Sequence, residues 1–272
     1  PPVTVRGSYV IASLPRSGST LLARALWDTG VAGAPGEYFN PRHMADFFRR
    51  WGRVRPIALA RLLLAGPRVW QRSGTWRSMS IPDYVRALKR HRTGPNGVFG
   101  VKLHYRHLQQ SFLEPGHDVD ELLERPRWIW LVRHDHVRQA ISYVRALQTD
   151  AWREDAGARG EIRYDFERIA RRLEDLRARE RAWEHWLAER GIEPLRIVYE
   201  SFVASYAPTV RAVLRHLEVA DAAAVAIPAP PLRRQADALS EDWGERFRRD
   251  AAHRGRRILV EPEPVTPLGK AS

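Results

Sequence analysis

The sequence predicts an α/β protein with a P-loop-like three-layer fold, in which helices flank a central parallel sheet that carries a helical insertion or lid. Short, continuously apolar segments alternate with helical patterns along the 272 residues, and strands that are buried on both faces have this composition. The first apolar segment leads through a polar loop into a helical pattern, which is how an α/β unit begins. The length suits one sizeable core and is short for two full domains.

The predicted strands are short apolar runs. They are Tyr9–Ser13, Val98–Leu103, Trp128–Val132 and Leu195–Tyr199. The second run follows Thr93–Gly97, whose glycines, proline and asparagine are a strong turn signal. Because ligands bind at the carboxyl ends of the strands in open parallel sheets, the residues that follow these runs are the first candidates for a site.

The helices are predicted from capping residues and from the spacing of hydrophobic residues. Asn40 and Pro41 suit the N-cap and the first position of a helix, and Ser80 begins a capping-box spacing. Apolar residues at steps of three, four or seven mark a long amphipathic helix that ends at Gly191. The helical segments are Ser19–Asp28, 41–51, Ile57–Leu64, 81–91, Asp135–Leu147, 169–190, Pro208–Leu217 and Glu241–His253.

We expect one domain over residues 1–260 and a tail over 261–272. The 33–95 stretch is long, polar and without clear strands, so we predict that it forms a helical insertion that binds an acceptor. No apolar run approaches the roughly 20 residues that a membrane helix needs. The expected location is the cytoplasm.

Composition limits the chemistry that the chain can perform. It contains no cysteine, which excludes disulfide scaffolds, cysteine nucleophiles and thiolate metal sites. The formal net charge is +13, and a basic excess favours an anionic partner such as a nucleic acid, a phosphorylated cofactor or a membrane surface. Much of the charge is arginine interleaved with acidic residues, as in 171–190, and that pattern is typical of a solvated helix surface.

The loop after the first strand has the composition of an anion cradle. Its small residues let backbone N–H groups approach an anion, and the following helix adds its positive N-terminal end. Of the NTPase pattern G-x-x-x-x-G-K-[ST], only Gly18 and Thr20 match, because Ser13 and Ser19 stand where that pattern has Gly and Lys. The third strand is followed by Arg133, where an Mg²⁺-dependent enzyme would have Asp. The sequence therefore predicts a nucleotide site that needs no metal.

Six segments carry distinctive patterns of glycines, hydroxyl residues and charges. They are S-x-x-R-S-G-S-T-L-L at Ser13–Leu22, T-G-V-A-G with a Glu and an aromatic pair at Thr29–Phe39, P-N-G-V-F-G-x-K at Pro95–Lys102, R-x-D-x-x-x-Q-A-x-S at Arg133–Ser142, A-x-Q-T-x-x-W at Ala146–Trp152 and R-Q-A-D-x-x-S-x-x-W at Arg234–Trp243. Together, from about Tyr9 to Asp250, they make the chain resemble the bacterial family of trehalose 2-O-sulfotransferases.

The resemblance implies a donor, 3′-phosphoadenosine 5′-phosphosulfate, and no metal. It assigns the donor's 5′-phosphosulfate to Arg16, Ser17, Gly18, Ser19 and Thr20, and its 3′-phosphate to Arg133 and Ser142, with Arg234 as a further contact. A planar guanidinium suits phosphate oxygens. The resemblance also implies a homodimer that binds a small sugar or glycoside. From the residue patterns we expect no nucleic-acid partner and no stable membrane insertion.

Two residues compete for the role of general base. The resemblance places the base after the first helix, at Glu37, which would take the proton of the acceptor hydroxyl. The sequence Lys102-Leu-His104 at the end of the second strand is similar to the wider cytosolic sulfotransferases, whose base is a histidine. We favour Glu37 and keep His104 as the alternative. Lys102 and Arg16 would stabilise charge on the transferring group and on the leaving phosphate.

The expected acceptor is a hydroxyl of a carbohydrate or of a glycosylated metabolite. Residues expected to contact it are Pro15, Pro35, Gly36, Tyr38, Phe39 and Asn40. Pro15, Ala34 and Gly36 stand where the trehalose enzymes have polar side chains, and a site that loses hydrogen-bonding groups discriminates differently among hydroxylated ligands. Trehalose is therefore one candidate among several glycosides, on which the aromatic residues of 38–76 could stack.

Other functions stay open at this point. An NTP-dependent phosphotransferase on a P-loop-like fold would need Mg²⁺. A nucleic-acid-binding protein would explain the basic charge, although the sequence has no zinc-finger spacing, no RNP-type aromatic run and no lysine-rich arm. A non-catalytic binder of sugars or nucleotides could share the fold.

Overall fold

The core of the molecule is a four-stranded parallel sheet with the strand order β2-β1-β3-β4. The computed structural model describes residues 4–41, 43–44, 46–47, 80–150, 160–230 and 238–256. The strands are β1 (Gly7–Ser13), β2 (Val98–His104), β3 (Arg127–Val132) and β4 (Leu195–Val198). The predicted α/β class and the parallel arrangement of the sheet are confirmed.

Helices separate the strands along the chain. They are α1 (Ser19–Asp28), α2 (Ile81–Arg92), α3 (Tyr105–Leu108), α4 (Val119–Leu122), α5 (His136–Thr149), α6 (Phe166–Glu189), α7 (Tyr199–Ala204), α8 (Tyr206–His216) and α9 (Ala238–His253), with a π-helical segment Gln109–Leu113 after α3. The sequence did not predict α3, α4, α7 or the π-helical segment, because segments of four to six residues are too short to show a helical period. The helices of the described ranges include none that is long and apolar enough to cross a bilayer.

Capping side chains begin several of these helices where the sequence predicts. The Ser80 hydroxyl accepts the N–H of Asp83 at 3.3 Å, at the start of α2. Residues 41, 43, 44, 46 and 47 are helical, as expected after Asn40, whereas the predicted helix Ile57–Leu64 lies outside the described residues. An Asp135 oxygen accepts the N–H of Arg138 at 2.9 Å and caps α5. A cap of this type contributes about 1 kcal/mol.

The two faces of the sheet bury separate hydrophobic clusters. In β1, Val10 and Ala12 belong to one cluster, and Tyr9 and Ile11 belong to the other, as the alternation of side chains along a strand requires. Helices α2, α5, α6 and α9 pack on the first face, and α1, α7 and α8 pack on the second. The arrangement is therefore helix, sheet, helix, which confirms the predicted three layers.

The strand register brings the carboxyl ends of the strands to one edge of the sheet. Ser13, the last residue of β1, pairs with His104, the last residue of β2, and with Leu131 near the end of β3. The residues that follow each strand therefore meet at this edge, where parallel sheets bind their ligands.

The two ends of the predicted 33–95 insertion are integral to the core. Gly36 forms a parallel bridge with Val101, and its carbonyl accepts the N–H of Lys102 at 2.9 Å. In α2, Tyr84 and Leu88 are fully buried against the first face of the sheet. Residues 48–79 lie outside the described part, so the acceptor-binding role of the insertion stays a prediction.

Candidate active site

The β1–α1 loop, Leu14–Gly18, turns through two residues with left-handed backbone. Arg16 has a φ of 64° and Gly18 a φ of 87°, and a positive φ in a residue other than glycine is uncommon and clusters at ligand sites. Ser17 donates twice to the carbonyl of Leu14, from its backbone N–H at 3.3 Å and from its hydroxyl at 2.8 Å. The loop is thus closed on itself, and it leads into α1, whose first N–H groups have no intrahelical acceptor.

Gly18 is the point at which the loop packs against the end of β4. A Cβ built on Gly18 would lie 2.3 Å from Cδ2 of Tyr199, which directly follows β4. Both the positive φ and the lack of space therefore require glycine at this position.

We expect Gly18→Ala to reduce the free energy of unfolding by about 2–4 kcal/mol, since an alanine there adopts a left-handed backbone and also meets the Tyr199 ring. Urea unfolding measures the loss. Gly116→Ala is the matched control, because Gly116 has a φ of 75° with nothing within 4 Å of its missing Cβ, and its cost should be only about 1–2 kcal/mol. Equal losses in the two variants would contradict the tight packing at Gly18.

Arg133 extends from the end of β3 to the loop. Its Nη1 donates to the carbonyl of Arg16 at 3.1 Å, and its guanidinium carbon lies 4.8 Å from the centre of the Tyr199 ring. Its Nε–H is buried and has no hydrogen-bond partner in the described part of the chain, an arrangement that a bound anion would satisfy. Burial lowers the pKa of Arg133, yet a guanidinium stays charged at neutral pH.

Two side chains of helix α5 also form hydrogen bonds with the loop. The Nε of Arg16 donates to the hydroxyl of Ser142 at 2.9 Å, and the side-chain amide of Gln139 donates to the carbonyl of Pro15 at 2.8 Å. Arg16, Ser142 and Arg133 therefore form one cluster beside the loop, as the sequence motifs suggest.

A second cluster centres on the carboxylate of Glu37. Its Oε1 lies 2.7 Å from Nζ of Lys102 and 3.3 Å from Nε2 of His104, while its Oε2 accepts the side-chain N–H of Asn40 at 2.9 Å. Lys102 and His104 are two residues apart in β2, so their side chains leave the strand on the same face. The bridge at Gly36 holds the preceding backbone beside β2. The Glu37 side chain remains 25% exposed, whereas those of Lys102 and His104 are 7% and 8% exposed.

Lys102 joins the two clusters. Its Nζ also donates to the hydroxyl of Thr20 at 3.0 Å, in the first turn of α1. Two of its three N–H groups are thus directed to Glu37 and Thr20, which connects the carboxylate to the residues that follow the loop.

The charge state of Glu37 follows from opposing effects. Burial raises the pKa of its carboxyl, but the positive charge of Lys102, the charge of His104 and the hydrogen bond from His104 together outweigh burial and hold the pKa well below its ordinary value. Glu37 is therefore ionised at neutral pH and carries the lone pair that a base needs.

Contacts engage both ring nitrogens of His104. Nδ1 lies 3.1 Å from the hydroxyl of Ser13 and 3.2 Å from its carbonyl oxygen, and that carbonyl also accepts the indole N–H of Trp183 at 3.2 Å. Nε2 faces the Glu37 carboxylate at 3.3 Å. Both ring nitrogens are therefore engaged by neighbouring groups.

Tyr38 and Phe39 are core residues, which disagrees with the expectation that they contact an acceptor. Tyr38 is 2% exposed, donates its hydroxyl to the carbonyl of Ala34 and stacks on Phe99. Phe39 is 0% exposed and packs against Phe112, with ring centroids 4.6 Å apart. Their apolar rings fill the space under the site and leave Glu37 and Asn40 nearer to solvent.

Other residues predicted for the site have mixed placements. Pro35 is buried, whereas Pro15, Gly36 and Asn40 are partly exposed. Arg234 lies outside the described residues, and so do the aromatic residues at 48, 51, 70 and 76.

Similarity to known proteins identifies the family of this chain. The profile of the Stf0 sulphotransferase family matches residues 8–250. The chain belongs to this family. It is 34% identical to a trehalose 2-sulfotransferase of Mycolicibacterium smegmatis over 269 residues, which cover 91% of this chain and 97% of that protein. It is 33% identical to a trehalose 2-sulfotransferase of Mycobacterium tuberculosis over 265 residues, which cover 91% and 96%.

Sequence reasoning missed several residues that shape the site of this Stf0 sulphotransferase. Tyr199 was assigned to the end of a strand, but it begins α7 and packs on the loop. Gln139 stood in a recognised motif without a role. His107, one turn after β2, has its ring centre 5.3 Å from that of His104, and burial first and then the charge of His104 lower its pKa to about 3. Its ring is therefore uncharged at neutral pH.

Cationic side chains surround the β1–α1 loop in the described part of the molecule. Over the described ranges, no group of three or more His, Asp or Glu side chains is placed to hold a metal ion. Arg16, Arg133 and Lys102 instead place three positive charges around the loop.

Proposed function

We propose that this chain transfers a sulfuryl group from 3′-phosphoadenosine 5′-phosphosulfate to a hydroxyl of a carbohydrate or glycoside, with Glu37 as the general base. The observation that carries the proposal is the contact of Lys102 with both the Glu37 carboxylate and the Thr20 hydroxyl. This contact supports the proposal, because a transfer between two bound substrates requires the base to lie close to the phosphate loop.

The residues at the sheet edge fit a donor with two separate anionic groups. The first N–H groups of α1, with Arg16 and Lys102, would hold the 5′-phosphosulfate. Arg133 and Ser142 would hold the 3′-phosphate, and the buried Nε–H of Arg133, which has no partner within the described residues, supports that assignment. Both subsites supply donors and positive charge, which a divalent cation would not favour.

Glu37 would receive the proton of the acceptor hydroxyl. As that oxygen forms a bond to sulfur, the bond between sulfur and the phosphate oxygen breaks, and the electron pair leaves with the adenosine bisphosphate. The ionised state of Glu37 at neutral pH suits this step. The contact of Oε2 with Asn40 orients the carboxylate.

Lys102 and Arg16 would stabilise the negative charge that develops on the leaving phosphate. Lys102 has a third N–H group beyond those directed to Glu37 and Thr20. Its side chain is 7% exposed, and a charge in such a dry environment interacts more strongly than it would in water.

His104 acts in this proposal as a donor that orients Glu37. Its Nδ1 is engaged by Ser13, and its Nε2 faces the carboxylate. A histidine base would need a free nitrogen toward the acceptor, and the contacts of His104 favour Glu37 over it.

The acceptor class follows from the relatives, both of which are trehalose 2-sulfotransferases by name. Pro15, Ala34 and Gly36 offer no side-chain hydrogen bonds to a sugar. A site that relies less on such bonds at these positions would select a different set of hydroxylated ligands, so a glycoside other than trehalose is included in the proposal.

The direct test is an assay of bisphosphate release from 3′-phosphoadenosine 5′-phosphosulfate with a panel of sugars and glycosides, trehalose first, in the presence of EDTA. We expect release that depends on an acceptor and is not reduced by the chelator. Transfer from ATP that requires Mg²⁺ would contradict the proposal, and so would the absence of transfer to every member of the panel.

A further inference from the structure

The junction between β4 and α7 contains a carboxylate that binds backbone N–H groups outside its own helix. Glu200 is the second residue of α7, and α7 has no side-chain cap. Its Oε2 instead accepts the backbone N–H of His134 at 3.2 Å, and its Oε1 accepts that of Asp135 at 3.1 Å. These are the two amides that directly follow Arg133 in the chain.

The two amides form the kind of backbone pair that binds anions. Glu200 fills it with a carboxylate of the protein, while Asp135 caps the following helix through the N–H of Arg138. The turn after β3 is thus held on both sides. Because this amide pair is occupied, a phosphate at the end of β3 must be bound by side chains, above all by Arg133.

Tyr199, the neighbour of Glu200, holds the guanidinium of Arg133 from another direction. Its ring lies 4.8 Å from the guanidinium carbon and occupies the space beside Gly18. A cation placed over an aromatic face is attracted to it. The side chain of Arg133 and the backbone after it are therefore both restrained by the β4–α7 junction.

We infer that Glu200, supported by Tyr199, is a positioning residue for the donor's 3′-phosphate subsite. It acts through Arg133, by holding the turn from which this side chain extends, and it does not contact the donor. A preorganised arginine loses less conformational freedom when it binds phosphate. The inference rests on the proposed function, which assigns the 3′-phosphate to Arg133.

The test compares two ligands that differ in the 3′-phosphate, adenosine 3′,5′-bisphosphate and adenosine 5′-phosphate, by titration calorimetry. We expect Glu200→Ala to raise the Kd of the bisphosphate about tenfold, the lower end of what outer hydrogen-bond partners of a site contribute. The Kd of the monophosphate should change about twofold or less. Glu200→Gln keeps one acceptor for the two amides, so it should fall between the parent and Glu200→Ala.

A double-mutant cycle separates positioning from a general loss of structure. In the background of Arg133→Ala, Glu200→Ala should have no further effect on bisphosphate binding, because the group through which it acts is gone. Glu218→Ala is the matched control, since Glu218 pairs with Arg127 at the other end of β3, and it should leave both Kd values unchanged.

Three results would overturn the inference. These are an unchanged Kd of the bisphosphate in Glu200→Ala, an equal weakening of both ligands, or an undiminished effect in the Arg133→Ala background. A parent protein that binds the bisphosphate no better than the monophosphate would overturn the proposed donor site as well, so the two failures are distinguishable. If Glu200→Ala melts well below the parent, the same comparisons are made with Glu200→Gln.

Discussion

Glu37→Gln lowers kcat by about 10²–10⁴-fold at saturating donor, because the amide keeps the size of the carboxylate but cannot take the acceptor's proton. Steady-state kinetics with 3′-phosphoadenosine 5′-phosphosulfate measure the loss. The substitution also removes the countercharge of Lys102, whose Nζ lies 2.7 Å from Glu37. Thermal melting of the variant therefore accompanies the kinetics, to show that the loss of kcat arises in a folded protein.

His104→Gln provides the comparison for Glu37→Gln. If His104 only orients Glu37, this variant should retain much more activity than Glu37→Gln, since it loses one donor at 3.3 Å and keeps the base. A larger loss in His104→Gln than in Glu37→Gln would reverse the assignment of the base.

The pH profile gives an independent measure of the base. The pKa of Glu37 is held well below its ordinary value, because Lys102 and His104 outweigh the effect of burial. The active, ionised form persists above that pKa and is lost as the pH falls through it, so kcat/KM should stay level down to about pH 4.3, the ordinary value for glutamate. An acidic limb near pH 6.5, where free imidazole titrates, would contradict Glu37 as the base.

Arg133→Ala raises the Kd of adenosine 3′,5′-bisphosphate about 100-fold, and it leaves the binding of adenosine 5′-phosphate almost unchanged. Truncation of one partner in a buried charge pair costs about 2–5 kcal/mol, and 100-fold corresponds to about 2.7 kcal/mol. Arg133→Lys should lie between the parent and Arg133→Ala, because it keeps the charge but loses the planar fork. Calorimetry with both ligands measures these differences.

Arg127→Ala is the matched control for this prediction. Arg127 stands at the amino end of β3, where it pairs with Glu218, so its removal alters the same strand and the net charge without touching the site. It should leave both Kd values unchanged. An equal loss for both ligands in Arg133→Ala would place the arginine at a structural contact and not at the 3′-phosphate.

The sheet could be predicted because its strands are continuous apolar runs with polar residues at their ends. The composition of the Ser13–Thr20 segment and its place between strand and helix predict an anion-binding loop. In the structure, hydrogen bonds from Ser17 to the carbonyl of Leu14 close this loop. The strand boundaries agree to within about two residues, and the error at Tyr199 had a consequence. Because the predicted strand included Tyr199 as its last residue, the packing of the Tyr199 ring on Gly18 was not predicted.

The contacts of Glu37 could not be predicted from the residue pattern alone. Glu37 and Lys102 are far apart in the sequence, and they meet because a single bridge at Gly36 places that segment beside β2. One isolated bridge leaves no alternation in the sequence to detect. Similarly, the pattern does not distinguish an aromatic side chain that lines a sugar site from one that fills a core, so Tyr38 and Phe39 were assigned to the wrong environment.

The central claim is that the β1–α1 loop and Arg133 together bind a doubly phosphorylated adenosine without a metal. Titration calorimetry of the unmodified protein with adenosine 3′,5′-bisphosphate, in EDTA, tests it most directly. The account predicts saturable binding at one site per chain, at least about 30-fold tighter than that of adenosine 5′-phosphate, as a contribution of about 2 kcal/mol from the 3′-phosphate implies. Binding that appears only with Mg²⁺, or equal affinity for the two nucleotides, would contradict it.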